Sequence, residues 1–198
     1  VDCGCGESIE TILSNIQEMG MEVDDLSHLL LTHAHLPHAG AAEALRKMGV
    51  EVFCTSSAAE AIHSGGLGTA AYHYRKTFPV CREATELEDG NTVEAGRVTL
   101  TAVELPGHSP GHAGFWLQAS NRLMLFCGDA VRSPDLQTYR DRPGYDPDLY
   151  LQSLKKLLDR PPEVLYPGHG PFCLSHGESW VQAELKKVLR DKRSPSGA

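Results

Sequence analysis

No run in this sequence approaches the ~20 consecutive apolar residues of a membrane-spanning helix, which excludes a helical membrane protein. The apolar fraction of 41% and charged fraction of 22% are those of a soluble globular chain. Positive charge is in short supply, with 18 Lys and Arg against 26 Asp and Glu and a formal charge of −8. Nucleic-acid phosphates would be repelled except at a locally basic patch, so no nucleic-acid partner is expected. The one basic cluster, LKKVLRDKR (Leu185 to Arg193), reads as a solvated helix end. Paired cysteine spacing is missing too. The six cysteines, at positions 3, 5, 54, 81, 127 and 173, are scattered. A domain of this size needs no disulfide staples, so they read as reduced and mostly buried, in a cytoplasmic protein. Cys3 and Cys5 form a C-x-C pair with no second pair to complete a metal site. The chain opens on Val1 with no leader. There is no internal repeat and no linker. The 198 residues read as a single domain, large enough to bury about 70% of its unfolded surface, with a disordered tail over 192–198.

What is present is an alternation of strands and helices. ESIETILSNIQEM (Glu7 to Met19) places Ile9, Ile12, Leu13, Ile16 and Met19 on one helical stripe, with Ser8 placed to cap it. SHLLLT (Ser27 to Thr32) is an apolar run of buried-strand type. AGAAEALRKMG (Ala39 to Gly49) then predicts a helix closed by Gly49, and VEVFCT (Val50 to Thr55) the next strand, so the two strands should be parallel. Further on, Asn91 to Leu105 alternates around an Ala95-Gly96 turn, and Gly114 to Ala130 around Ser120-Asn121, the period of antiparallel hairpins. Helices return over Asp146 to Asp159, with Asp146 as cap and Pro147 at the first position, and after SHGE, where Ser175 and Glu178 have capping-box spacing.

Polar residues gather where the strands stop. THAHLPH (Thr32 to His38) carries His33, His35 and His38; LPGHSPGH carries His108 and His112; CGDA carries Asp129; and PGHG carries His169. Imidazole nitrogens with a carboxylate are what a borderline ion such as zinc prefers. His28, His63, His73 and His176 read as ordinary hydrogen-bonded histidines, and His112 either packs or orients a ligand. SGGLG (Ser64 to Gly68) lacks the Lys-Ser/Thr ending of a phosphate loop and reads as a flexible loop.

In this order the four motifs resemble those of the metallo-β-lactamase superfamily, nearest to its glyoxalase II-like and lactonase-like hydrolases. The resemblance runs from VDCG (Val1 to Gly4) to PGHGPF (Pro167 to Phe172). It implies an αββα sandwich, here lacking its N-terminal strand or strands, and a second copy of the chain could cover the edge left open. It implies that His33, His35 and His108 bind a first metal, that His38 and His169 bind a second, and that Asp129 bridges the two. The family's first motif reads His-x-His-x-Asp-His, and this chain has Pro37 in the Asp position. The first site keeps three histidines and an open position, while the second loses a carboxylate, so one zinc is expected and two remain possible.

The implied function is metal-dependent hydrolysis of a small-molecule ester, thioester or lactone, in which metal-bound hydroxide attacks the carbonyl and Asp129 orients it. β-Lactams are also possible substrates. Two alternatives stand beside this: a mononuclear iron persulfide dioxygenase, and a metal-binding pseudoenzyme with a degenerate second site. The glyoxalase II identity itself is disfavoured, because too few residues follow PGHGPF for a helical glutathione-binding domain. Two loops rich in aromatics, Gly65 to Pro79 and Arg132 to Pro147, offer Tyr72, Tyr74, Tyr139 and Tyr145 as a substrate wall. Arg75, Arg140 or Arg142 could reach an anionic group on the substrate.

Overall fold

The computed structural model describes residues 1–136 and 143–193. It is a mixed α/β fold with two compact units, Val1–Leu87 and Glu88–Ala198, each with its own sheet and core. Among the described residues no helix is long and apolar enough to cross a membrane.

In the first unit, helix α1 (Ile9–Glu18) packs Ile9 and Leu13 against the core. Ser8 stands at its N-cap but does not cap it. Its backbone is near-helical (φ −96°, ψ 7°) rather than extended, so its hydroxyl is not aimed at the amides of the first turn. Strands β1 (His28–Leu30), β2 (Glu51–Cys54) and β3 (Thr85–Glu86) form a parallel sheet in that order, with Leu29 opposite Val52. The expected parallel pair is therefore present. The helix between its strands is divided into α2 (Leu36–Ala39) and α3 (Ala42–Lys47). Gly40 and Ala41 lie between them, and a Cβ at Gly40 would lie 2.5 Å from the carbonyl carbon of Cys5, so glycine is needed for this close approach. The N-terminal turn thus lies directly on α2, with Gly40 N donating to Gly4 O at 2.9 Å.

Helix α4 (Ser56–Ser64) follows, capped by the Thr55 hydroxyl and ended by Gly65 in the left-handed region (φ 65°). SGGLG is therefore a helix stop leading into a 3-10 turn at Leu67–Thr69, with Thr69 buried, rather than a flexible loop. A second 3-10 turn spans Ala71–Tyr74. The core of this unit includes Leu29, Leu31, Val52, Ile62 and Phe78.

The second unit is built on a five-stranded sheet: β4 (Thr92–Ala95), β5 (Val98–Glu104), β6 (Ala113–Ala119), β7 (Arg122–Gly128) and β8 (Val164–Pro167), in sequence order. All neighbours are antiparallel except β7 and β8, which are parallel. Ala95 pairs with Val98, so the first turn is Gly96-Arg97, one residue later than expected. Ser120 and Asn121 form the second turn with φ of 50° and 58°, matching the twist of the flanking strands.

Helix α5 (Pro147–Asp159) starts as its sequence predicts, with the Asp146 carboxylate accepting from Asp148 N and Leu149 N. Helix α6 (Gly177–Arg193) does not use the Ser175/Glu178 box. His176 takes a left-handed backbone (φ 59°) just before it, and Ser179 Oγ donates to His176 O at 2.7 Å instead. The helix runs two residues into the expected tail, and residues 194–198 lie outside the described set. The core joins Leu105, Trp116, Leu125, Tyr150, Leu154 and Val181.

Candidate functional site

The chemistry-bearing residues stand just past strand ends in both units. In the first, the chain leaves β1 through Leu31 and Thr32 and delivers His33, His35 and His38, all buried. The rings of His33 and His35 lie 4.5 Å apart, and those of His33 and His38 4.1 Å. A possible ligand atom of His33 lies within 4.8 Å of one on His35 and of one on His38. Three buried imidazoles in such contact give up hydration, which favours a shared cationic partner. Pro37 occupies the first turn of α2, where a missing amide hydrogen costs nothing.

Asp2 organises this cluster. Its carboxylate accepts from Thr32 N at 2.8 Å and from Thr32 Oγ1 at 2.9 Å, and it lies 2.8 Å from His38 Nδ1. A carboxylate only accepts, so His38 carries its proton on Nδ1 and presents the Nε2 lone pair. Thr32 gives its one hydroxyl proton to Asp2, so at 3.0 Å the same hydroxyl accepts from His33 Nδ1. Both histidines are thereby set as Nε2 ligands. The Cys3 thiol donates to His38 O at 3.2 Å, and burial pushes its pKa well above the ordinary range. The thiol is thus engaged with backbone, and the groups of described residues that could hold a metal ion contain histidines and Asp129 but neither Cys3 nor Cys5.

In the second unit, His108 follows β5, Asp129 follows β7 and His169 follows β8. Oδ2 of Asp129 lies 3.4 Å from His108 Nε2, and Oδ1 lies 3.8 Å from His169 Nε2. His108 and Asp129 are buried, whereas the His169 side chain is 42% exposed. Gly168 N donates to Gly128 O at 2.8 Å, binding the His169 loop to the Asp129 loop. His112 is an orienting group: its Nε2 accepts from Asp129 N at 3.0 Å, which places its own proton on Nδ1. Arg132, also buried, hydrogen-bonds Asp129 Oδ2 through its guanidinium.

Helix α5 locks both loops. A Cβ at Gly107 (φ 130°) would fall 2.3 Å from the Cα of Tyr150, so only glycine fits there. Asp146 N donates to Gly107 O at 2.8 Å and Ser153 Oγ to Pro106 O at 2.6 Å. The Tyr150 hydroxyl lies 2.9 Å from Ala130 O, 3.3 Å from Asp129 O and 3.2 Å from the buried Glu184 carboxylate. Burial and the Glu184 charge push the phenol pKa well up, so Tyr150 remains a donor.

The aromatic wall is less uniform than expected. Tyr72 and Tyr74 are 44% and 40% exposed on their 3-10 turn. Tyr145 instead packs against Tyr150, with ring centroids 6.0 Å apart and nearly perpendicular. Tyr139, Arg140 and Arg142 lie outside the described residues. In the first unit Asp2 and Thr32 lie inside VDCG and THAHLPH but have no supporting role that the sequence reading assigns, and in the second Arg132, Tyr150 and Glu184 lie outside the motifs. Only Arg132 carries a local signal, its spacing three residues after Asp129.

A family model described as the metallo-beta-lactamase superfamily matches residues 1–169, and the chain belongs to that superfamily. The probable polyketide biosynthesis zinc-dependent hydrolase BaeB of Bacillus velezensis is 31% identical over 165 residues, covering 81% of this chain and 63% of BaeB. The atrochrysone carboxyl ACP thioesterase of Aspergillus fumigatus is 29% identical over 168 residues, covering 85% of this chain and 45% of the thioesterase. The chain therefore spans 63% of the length of the first of these relatives and 45% of the second. Among solved structures, MIM-2 metallo-beta-lactamase shares the fold at a TM-score of 0.80 and 21% identity, covering 98% of this chain and 80% of its own. TTHA1623 in a di-iron-bound form is 32% identical at a TM-score of 0.70, covering 88% of this chain and 83% of its own.

Proposed function

We propose that this chain is a zinc-dependent hydrolase of thioesters, with small esters and lactones as related substrates. The observation that carries the reading is the orientation of buried donors: Asp2 and Thr32 fix the protons of His38 and His33 on Nδ1, while His112 and Arg132 fix Asp129. His33, His35, His38, His108, Asp129 and His169 would hold the metal. Buried neutral imidazoles with one carboxylate fit zinc in ligand type. Zinc in such a site polarises a carbonyl oxygen and lowers the pKa of water to ~7.

The protein's own part is positional. Asp129, held by the Arg132 guanidinium, would accept a hydrogen bond from the attacking water and aim its lone pair at the carbonyl. His169, partly exposed, is the ligand facing incoming substrate. Tyr72 and Tyr74 offer apolar faces for an acyl group, and the thioester preference follows the names of the polyketide hydrolase and the carrier-protein thioesterase. Iron is the alternative metal, because TTHA1623 was solved in a di-iron-bound form.

The test is elemental analysis of the purified protein beside a panel of acyl thioesters, esters and lactones. Bound zinc with thioester turnover that a chelator abolishes and added zinc restores supports the reading. Iron with oxygen consumption moves the protein to the dioxygenases, and bound metal without turnover makes it a binding protein.

A further inference from the structure

Arg132 places a permanent positive charge on the only carboxylate among the proposed ligands. Its side chain and that of Asp129 are each 3% exposed, and its guanidinium bonds Oδ2 directly. A guanidinium does not lose its proton in a protein. The arginine is also held in place by its surroundings. Val131 and Ser133 on either side are buried, Leu136 N donates to Ser133 O at 2.9 Å, and Lys187 Nζ donates to Ser133 O at 3.2 Å and Leu136 O at 3.0 Å.

The two oxygens of Asp129 consequently have different surroundings. Oδ2 serves Arg132 and lies nearer His108, whereas Oδ1 faces His169. We infer that Arg132 acts as a built-in counter-ion that limits this centre to one tightly held divalent metal, by taking the negative charge that a second ion would have to share. Histidine ligands are neutral, so the imidazoles and the Asp129–Arg132 pair sum to zero charge, and Asp2 on His38 Nδ1 adds one negative charge. One dication can be held there by imidazole lone pairs. A second would add like charge beside a buried guanidinium in a low-dielectric setting, with no further carboxylate among the proposed ligands to offset it. This inference rests on the zinc-hydrolase reading and adds metal count and its cause.

The experiment is zinc titration of the apoprotein by calorimetry and by chelator competition, which reads binding without turnover. The wild type should take up one zinc per chain, with any second equivalent at least ~100-fold weaker. Arg132→Met removes the charge at similar length and should tighten second-site binding ~10-fold or more, whereas Arg132→Lys should match the wild type. The same pair of substitutions in a Pro37→Asp background separates the arginine from the replaced ligand, and there Arg132→Met should again tighten the second site. Equal binding of two zinc ions by the wild type overturns this inference and leaves the hydrolase reading standing. So does an unchanged second site on Arg132→Met in both backgrounds. If Arg132→Met does not fold, the Pro37→Asp protein decides: with the replaced ligand present and Arg132 in place, its second zinc should still bind at least ~10-fold more weakly than its first, and equal binding of two zinc ions there overturns the inference. No zinc on any form overturns both readings.

Discussion

Asp2 and His38 stand 36 residues apart in sequence and meet at 2.8 Å, carboxylate to Nδ1, with the same carboxylate also holding Thr32. Removing the carboxylate frees the tautomers of two histidines at once. Asp2→Ala should therefore lower zinc affinity ~10- to 100-fold in chelator competition, while Asp2→Glu, which keeps the charge, should recover part of it. An unchanged affinity would show that the histidines do not depend on Asp2.

Much of the framework that presents these residues is legible in the chain. The parallel pair β1–β2, the Ser120-Asn121 turn and the Asp146-Pro147 start of α5 follow from local pattern, because each rests on residues close in sequence. The strand-end histidines and Asp129 are legible for the same reason. What holds them is not. Asp2 reaches Thr32 and His38, and Tyr150 reaches Ala130 and Glu184, across separations that no periodicity encodes. The caps expected of Ser8 and Ser175 are not made, because Ser8 has a near-helical backbone and His176, in the left-handed region, takes the position before α6.

His112 accepts the amide hydrogen of Asp129, a bond made entirely out of water. His112→Ala leaves that amide unsatisfied and should cost about 1–3 kcal/mol in urea unfolding. It should also lower kcat more than it raises KM, because the carboxylate is misplaced while the groups that bind substrate stay where they are. A variant with wild-type kcat would reduce His112 to a packing residue.

Gly107→Ala tests the lock on α5. The added methyl has nowhere to go, since backbone atoms of Tyr150 occupy its position at 2.3 Å and the φ of 130° is strained for any side chain. Expected is a loss of more than ~3 kcal/mol, seen as insoluble expression or a collapse of the unfolding midpoint. A soluble variant of near-native stability would show that the helix can shift without penalty.

Pro37→Asp should be structurally mild, because an acidic residue in the first turn of α2 is favoured by the helix dipole. The expected gain is a stronger second metal site, measured as zinc per chain after dialysis against a fixed free-zinc buffer. Identical zinc content in both forms would mean that position 37 does not reach the metals at all.

The fit of Gly107 against Tyr150, with Asp146, Ser153 and the tyrosine hydroxyl all tied to the loops beside them, has a consequence for protein engineering. Pieces of related enzymes cannot be exchanged here one loop at a time. A graft that carries a foreign helix onto this His108 loop, or the reverse, pairs surfaces shaped for different partners. The smallest transferable cassette runs from Pro106 through Ser153, and chimaeras cut inside it should fail to fold where those cut outside it succeed.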